Sequence, residues 1–223
     1  MNSSTEEDYL KAIYKLTPQF PDGVLTSAIA EALDTKASSV TDMLKKLSEK
    51  GYINYVKYQG VTLLPIGEEV AIKVIRKHRL WEVFLAEKLD FTWDEIHEIA
   101  EQLEHIVSTN LIDRLDKYLG FPKFDPHGDP IPDKNGKFQK IKDVALRDLN
   151  VGDVAILVGV REHSKEFLQY LENIKLLLGS KIEVLSKFAF DESVLVKING
   201  KNEIMLSSLL CKNISVTHEK TKK

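Results

Sequence analysis

The chain has 223 residues, of which 43% are hydrophobic and 29% charged, and its formal net charge is -3, which describes a soluble globular chain of more than one domain. No segment reaches the apolar length of a transmembrane helix, and the amino terminus lacks the positive patch and apolar run of a secretory signal. The single cysteine, Cys211, excludes an intramolecular disulfide framework and fits a reducing, cytoplasmic setting, with its thiol expected as a small buried hydrophobe in a strand.

Ser3 followed by Glu6, and Ser4 followed by Glu7, have capping-box spacing. They open a helix with the apolar stripe Tyr9, Leu10, Ile13, Tyr14 and Leu16, which ends before Pro18. After the turn Pro21-Asp22-Gly23 come two shorter helices, from Thr26 to about Leu33 and from Ser38 to about Lys50, with a tight link between them. Gly51 stops the second. Two β-rich runs, 52–56 and 61–64, then form a hairpin.

Three helices and a hairpin make a winged helix-turn-helix. The stretch 36–57 carries Lys36, Lys45, Lys46, Lys50 and Lys57 against only Asp42 and Glu49. That surface suits DNA phosphates, and on charge alone it equally suits an ordinary Lys-rich helix exterior. In a winged helix the second helix of the motif enters the major groove, which points Lys36, Ser38, Ser39, Thr41 and Asp42 toward base edges and nearby phosphates. Lys45, Lys46 and the wing residues Lys57, Tyr58 and Gln59 are expected against the backbone. Ser39 equally suits a helix cap.

A long helix is predicted from about Gly67 to Leu89, carrying the i, i+4 pair His78 and Glu82 on one face. Thr92 and Glu95 form a capping box for the next helix, and Ser108 caps a third that ends at Gly120. Trp81, Phe84, Leu85, Leu89, Phe91 and Trp93 exceed what three helices can hide. They indicate a homodimer interface, or else packing against the winged helix.

The middle helix holds the densest cluster of chemistry. At about 100° per residue, His97, Glu101, Glu104 and His105 fall within roughly one third of a helix circumference. Glu101 and Glu104 repel each other when ionised, and a divalent cation is the simplest partner that turns repulsion into binding. A solvated acidic face is the plain alternative.

Prolines crowd the following stretch, which holds Asp125 and His127 and reads as a structured connector. Beyond it the period changes. Runs at 154–160, 182–185, 194–198 with an Asn199-Gly200 turn, and 204–206 describe a small β-barrel, interrupted by a short helix near 164–171. The fold class is therefore mainly α: a winged helix-turn-helix at 1–66, an all-helical metal-binding and dimerisation unit at 67–122, a connector at 123–145, a small β-barrel at 146–218 and a polar tail at 219–223.

The stretches TEEDYLKAIY, IAEALDTKASSVTDMLKKL, IRKHRLWEVFL, the LEH of Glu104 and His105, and HGDPIP together resemble the diphtheria toxin repressor and manganese transport regulator family of metal-dependent transcription repressors. The resemblance spans essentially the whole chain, and it likens the last unit to the SH3-like (FeoA-like) domain of longer members. It implies a homodimer that binds divalent metal and then palindromic operators upstream of metal-uptake genes. It places a primary metal site on Asp8, Glu101, Glu104 and His105. Hard oxygen at Asp8 and Glu101 resembles the manganese-responsive members, so Mn2+ is the expected ion, with Fe2+ as the alternative and Zn2+ able to bind in vitro. The two-metal manganese-type site has a glutamate where this chain has Lys11. An ancillary site is implied at His78, Glu82 and His97, completed by Asp125 and His127 of the connector or by His163 and Glu166 of the last unit.

Two other classes stand beside this reading. A helical metalloenzyme would repeat a Glu-x-x-His motif, and Asp94 with His97 is a single imitation, so no enzyme is expected. A metal-independent winged-helix regulator would use its histidines structurally.

Overall fold

A computed structural model describes residues 2–56, 59–139 and 142–218. The first helix, α1 (Ser4–Leu16), starts where the sequence predicts. Glu6 N donates to Ser3 Oγ at 3.3 Å, and Ser3 N donates to Glu6 Oε2 at 3.2 Å. Ser4 is already helical, so its spacing with Glu7 is not used for a cap.

After α2 (Thr26–Ala32) and α3 (Ala37–Glu49), β1 (Ile53–Val56) pairs antiparallel with β2 (Gly60–Leu63). Leu10, Ile13, Ile29, Val40, Leu44, Leu47, Ile53 and Val61 form one core beneath these elements. The N-cap of α3 is Lys36, which places Ser39 inside the first turn, so Ser39 does not cap the helix.

Glu6 also ties α1 to α3. Its Oε1 accepts from Lys50 Nζ at 2.7 Å and lies 2.9 Å from Lys46 Nζ. Burial by itself would raise the carboxyl, but Lys50, Lys46 and the Ser3 amide outweigh it and hold Glu6 at about 2, below the ordinary 4.5. A depressed acid stabilises the fold above its ordinary pKa and loses that contribution as pH falls through its folded one. Glu6→Gln is expected to lower stability by about 1–3 kcal/mol at neutral pH. In thermal unfolding, the gap between wild type and variant should close as pH falls from 4.5 toward 2.

The long helix α4 (Pro65–Leu89) begins two residues earlier than predicted because Pro65 fits the first helical turn. With α5 (Ile96–Leu103) and α6 (Thr109–Tyr118) it encloses Leu80, Trp81, Leu85, Ile96, Ala100, Ile112 and Leu115. Ser108 Oγ accepts from Leu111 N at 3.3 Å, as a cap should. The predicted aromatic surplus is largely absorbed within the chain. Trp81 and Leu85 lie in this core, and Trp93 packs against the core of the last unit. Of the six residues assigned to a dimer face, Leu89 stays more than half exposed.

The last unit is an antiparallel sheet ordered β3-β8-β4-β5-β6-β7: β3 (Val144–Ala145), β4 (Val154–Val160), β5 (Lys181–Lys187), β6 (Val194–Ile198), β7 (Asn202–Leu206) and β8 (Ile214–His218). Helices α7 (Lys165–Asn173) and α8 (Ser208–Asn213) cover it. The Asn199-Gly200 turn forms with φ of 51° and 69°, which suits these residue types. The description "mainly α" fits roughly, with 46% helix against 20% strand, because the carboxy-terminal third is built on this sheet. Cys211 is buried as expected, but on α8 rather than a strand. No helix among the described residues is long and apolar enough to cross a membrane.

The connector is sewn onto this sheet. His127 O accepts from Val160 N at 3.0 Å, and Gly128 follows with φ +90°. A Cβ on Gly128 would sit 2.1 Å from Val158 O. Gly128→Ala is therefore expected to push the connector off β4 at a cost of about 1–3 kcal/mol, read as faster limited proteolysis near residue 128.

Candidate metal centre

The predicted ligands do not share one helix face, because α5 ends at Leu103. Glu104 is its C-cap and His105 lies in the turn beyond. That turn carries His105 toward α1 while His97 and Glu101 stay over α4. Among the described residues three groups of ligand atoms result, each within 4.8 Å: Asp8, Glu104 and His105; His78, His97 and Glu101; and Glu82, Asp125 and His127.

In the first group, Asp8 Oδ1 lies 3.1 Å from His105 Nε2, which is 3.8 Å from Glu104 Oε1. Asp8 Oδ1 is buried and has no hydrogen-bond partner among the described residues. Burial raises the Asp8 carboxyl above its ordinary value, against the opposing pull of His105 and Lys11. A buried carboxylate oxygen without a donor is costly, and a cation would satisfy it. The donors are all oxygen and imidazole nitrogen, a set suited to manganese, ferrous iron or zinc. These residues fit a divalent ion.

Glu101 sits apart from Asp8. Its Oε1 accepts from Lys11 Nζ at 2.7 Å and lies 3.5 Å from His97 Nε2 and 3.8 Å from His78 Nδ1. Lys11 also donates to Glu104 Oε1 at 2.5 Å. Burial would lower the Lys11 ammonium, but Glu104 and Glu101 more than offset it and hold it above the ordinary lysine value. Lys11 thus occupies the space between the first two groups with a fixed positive charge. Glu104 Oε2 pairs with His78 Nδ1 at 2.7 Å, and His78 Nε2 pairs with Glu82 Oε1 at 2.9 Å. Burial opposes the His78 imidazolium, yet Glu82 and Glu104 raise it to about 9.

The third group surrounds a cavity of about 30 Å³ lined by His78, Glu82, His97, Asp125, His127 and His163. His127 Nδ1 lies 3.7 Å from Glu82 Oε1, and the His127 and His163 rings meet edge to face at 5.1 Å. Burial pulls His163 down to about 4, and its buried Nε2 has no hydrogen-bond partner among the described residues. Burial, Glu82 and Asp129 together push Asp125 well above its ordinary value. Glu166 is exposed on the first turn of α7 and does not line the cavity.

Sequence reasoning missed Arg79. It donates through Nη1 to Pro130 O at 2.5 Å and through Nη2 to Asp129 Oδ2 at 2.8 Å, and its Nε lies 3.4 Å from Asp125. It pins the connector and its two candidate ligands to α4. Its place directly after His78 was the available signal, but nothing in the sequence pairs it with the connector.

On the candidate DNA face, Lys36, Ser38, Ser39, Asp42, Lys45 and Gln59 are exposed. Thr41 is half-buried and donates to Ala37 O at 2.9 Å. Lys46 is turned toward Glu6 rather than standing free. Lys57 and Tyr58 lie outside the described residues.

Residues 1–61 match the iron dependent repressor N-terminal DNA binding domain, 65–133 the iron dependent repressor metal binding and dimerisation domain, and 144–218 the FeoA domain. The iron-dependent repressor IdeR of Mycobacterium leprae is 31% identical over 182 residues, covering 77% of this chain and 78% of that protein. The HTH-type transcriptional regulator MntR of Oceanobacillus iheyensis is 37% identical over 125 residues, 56% of this chain and 84% of that protein. A solved structure of a manganese-dependent transcriptional repressor in complex with manganese superposes with a TM-score of 0.86 at 34% identity, covering 96% of this chain and 100% of that one. A DNA-binding unit joined to a metal-binding, dimerising helical unit defines a class of metal-dependent transcriptional repressors, and not of enzymes. The chain belongs to the iron-dependent repressor family.

Proposed function

We propose that the chain is a Mn(II)-responsive repressor, with Fe(II) as the alternative ion, that binds palindromic operators as a homodimer in the cytoplasm and regulates metal uptake and homeostasis genes. The observation that carries this reading is the buried, unpartnered Asp8 Oδ1 3.1 Å from His105 Nε2, because it joins α1 of the DNA-binding unit to the end of α5. Asp8, Glu104 and His105 hold the regulatory ion, with Glu101 reaching it only if it leaves Lys11, which now joins it to Glu104. Glu82, Asp125, His127 and His163 hold an ancillary one together with His78 and His97. A bound divalent ion would satisfy Asp8 Oδ1, which has no hydrogen-bond partner among the described residues.

The chain's own residues do the rest. Asp8 and His105 tether α1, and α1 carries α3 through Glu6, Lys46 and Lys50. A fixed α1 therefore sets the spacing of the two α3 helices in a dimer, and a palindrome accepts only helices that match half-sites about 34 Å apart. Lys36, Ser38, Ser39, Thr41 and Asp42 serve the groove and Lys45 and Gln59 the phosphates, joined by Lys46 when it leaves Glu6; Lys57 and Tyr58, assigned to phosphates from the sequence, lie outside the described residues. The domain division at 66, 122 and 145 follows the same logic, except that β3 draws the start of the last unit back to Val144.

The test is a titration of metal-stripped protein with Mn2+, Fe2+ and Zn2+ while operator binding is followed. Tightening of about 5- to 150-fold is expected with Mn2+ or Fe2+. Binding that is indifferent to all three ions sinks the proposal.

A further inference from the structure

His105 has two ring nitrogens, and α1 engages both. Nε2 faces Asp8 Oδ1 at 3.1 Å, whereas Nδ1 lies 2.9 Å from Glu7 Oε2. Glu7 is only partly exposed, and Lys77 Nζ sits 3.6 Å from the same oxygen. The geometry points to Glu7 as the positioning residue of the first ligand group: it accepts the Nδ1 proton of His105 and leaves the Nε2 lone pair directed at the ion. This inference rests on the reading of Asp8, Glu104 and His105 as ligands.

Geometry and the chemistry of imidazole ligands converge on it. An imidazole that donates through Nδ1 presents a lone pair at Nε2, the form a metal requires. Nε2 faces Asp8 Oδ1 at 3.1 Å with no hydrogen bond between them, the position from which a lone pair would reach a shared ion. A carboxylate behind a ligating histidine fixes ring orientation and raises ligand basicity. Glu7 is not spent on a cap, because Ser3 and Glu6 form the capping box. Adjacent residues of one helix thus take opposite sides of one imidazole, Asp8 at the ion and Glu7 behind it. Lys77, on α4, holds the Glu7 carboxylate from the other side, its Nζ 3.6 Å from the same oxygen.

The decisive measurement is the tautomer of His105 in metal-free protein, read from its ring 15N shifts, alongside Mn2+ affinity from the free-ion EPR signal. Wild type is expected to carry its proton on Nδ1. Glu7→Ala should lose that preference and weaken Mn2+ binding by about 10- to 100-fold. Glu7→Gln, whose amide oxygen still accepts the bond, should keep the tautomer and stay much closer to wild type. A merely structural role at the start of α1 would lower the unfolding temperature of Glu7→Ala while leaving tautomer and affinity unchanged, and that result overturns the inference. A proton on Nε2 in wild type overturns it as well. Failure of the ligand reading looks different, because Asp8→Ala would then bind Mn2+ as tightly as wild type while the tautomer still reports the Glu7 contact.

Discussion

Replacing Asp8 by asparagine is expected to abolish most of the metal response while leaving the metal-free fold as stable as before. The Oδ1 of the half-buried carboxylate is itself buried and has no hydrogen-bond donor among the described residues, and desolvation raises the pKa of the group, so the ionised form is a burden on the metal-free protein. Removing the charge relieves that burden. The same removal deprives the ion of a ligand that links the DNA-binding unit to the helical unit. Operator affinity at saturating Mn2+ should therefore fall by about 5- to 150-fold, the usual range of coupling between two sites. Thermal unfolding with and without Mn2+ separates the two effects. The metal-free midpoint should hold or rise, and the increase on adding metal should shrink.

Glu104→Ala provides the contrast. Its two oxygens hold Lys11 at 2.5 Å and His78 at 2.7 Å, and it has no exposed surface. Losing it leaves Lys11 with Glu101 and His78 with Glu82 as their remaining partners and removes one buried counter-charge from each, so the metal-free protein itself should lose about 3 kcal/mol. A Glu104 variant that keeps its metal-free stability would contradict this account of the charge network, and an Asp8 variant that keeps its metal response would contradict the ligand assignment.

Much of this was legible because it depends on local chemistry. Ser3 and Glu6, three residues apart, announce their own capping box. The period of α3 and Gly51 after it mark the helix and its stop, and Asn199-Gly200 marks a hairpin. The inventory of the metal centre was legible too, since His78, Glu82, His97, Glu101, Glu104 and His105 stand close together in sequence. Their grouping was not. It turns on where α5 stops, and no glycine, proline or capping residue marks Leu103 as the last helical residue. One further turn of helix would have kept Glu101 and His105 on one face, whereas the actual end sends them to different partners. Long-range pairings were equally hidden. Lys11 and Glu101 are 90 positions apart, and Trp93 lies against a sheet that begins some fifty residues later. Period and spacing report which face of an element is buried, not which distant element buries it.

Lys11→Met should reveal what the buried ammonium does in place of an ion. Lys11 Nζ sits between Glu101 Oε1 at 2.7 Å and Glu104 Oε1 at 2.5 Å, with its side chain 7% exposed. Methionine keeps the volume and the apolar stem but takes the shared ammonium from both carboxylates, leaving Glu104 with His78 and Glu101 with the more distant His78 and His97. Breaking a buried pair from one side costs about 3–5 kcal/mol, which for a chain of this size lowers the midpoint of unfolding by roughly 10 °C. A divalent cation can then take the vacated position among His78, His97 and Glu101. Adding Mn2+ at about a hundred times its dissociation constant should return about 2.7 kcal/mol. The number of ions bound per protomer, measured by equilibrium dialysis and elemental analysis, should rise by one over wild type. Lys11→Arg keeps the charge and should show neither change. If Lys11→Met unfolds at the wild-type temperature and binds the wild-type number of ions, the ammonium is not standing in for a cation. The two glutamates must then be neutralised by His78 and His97.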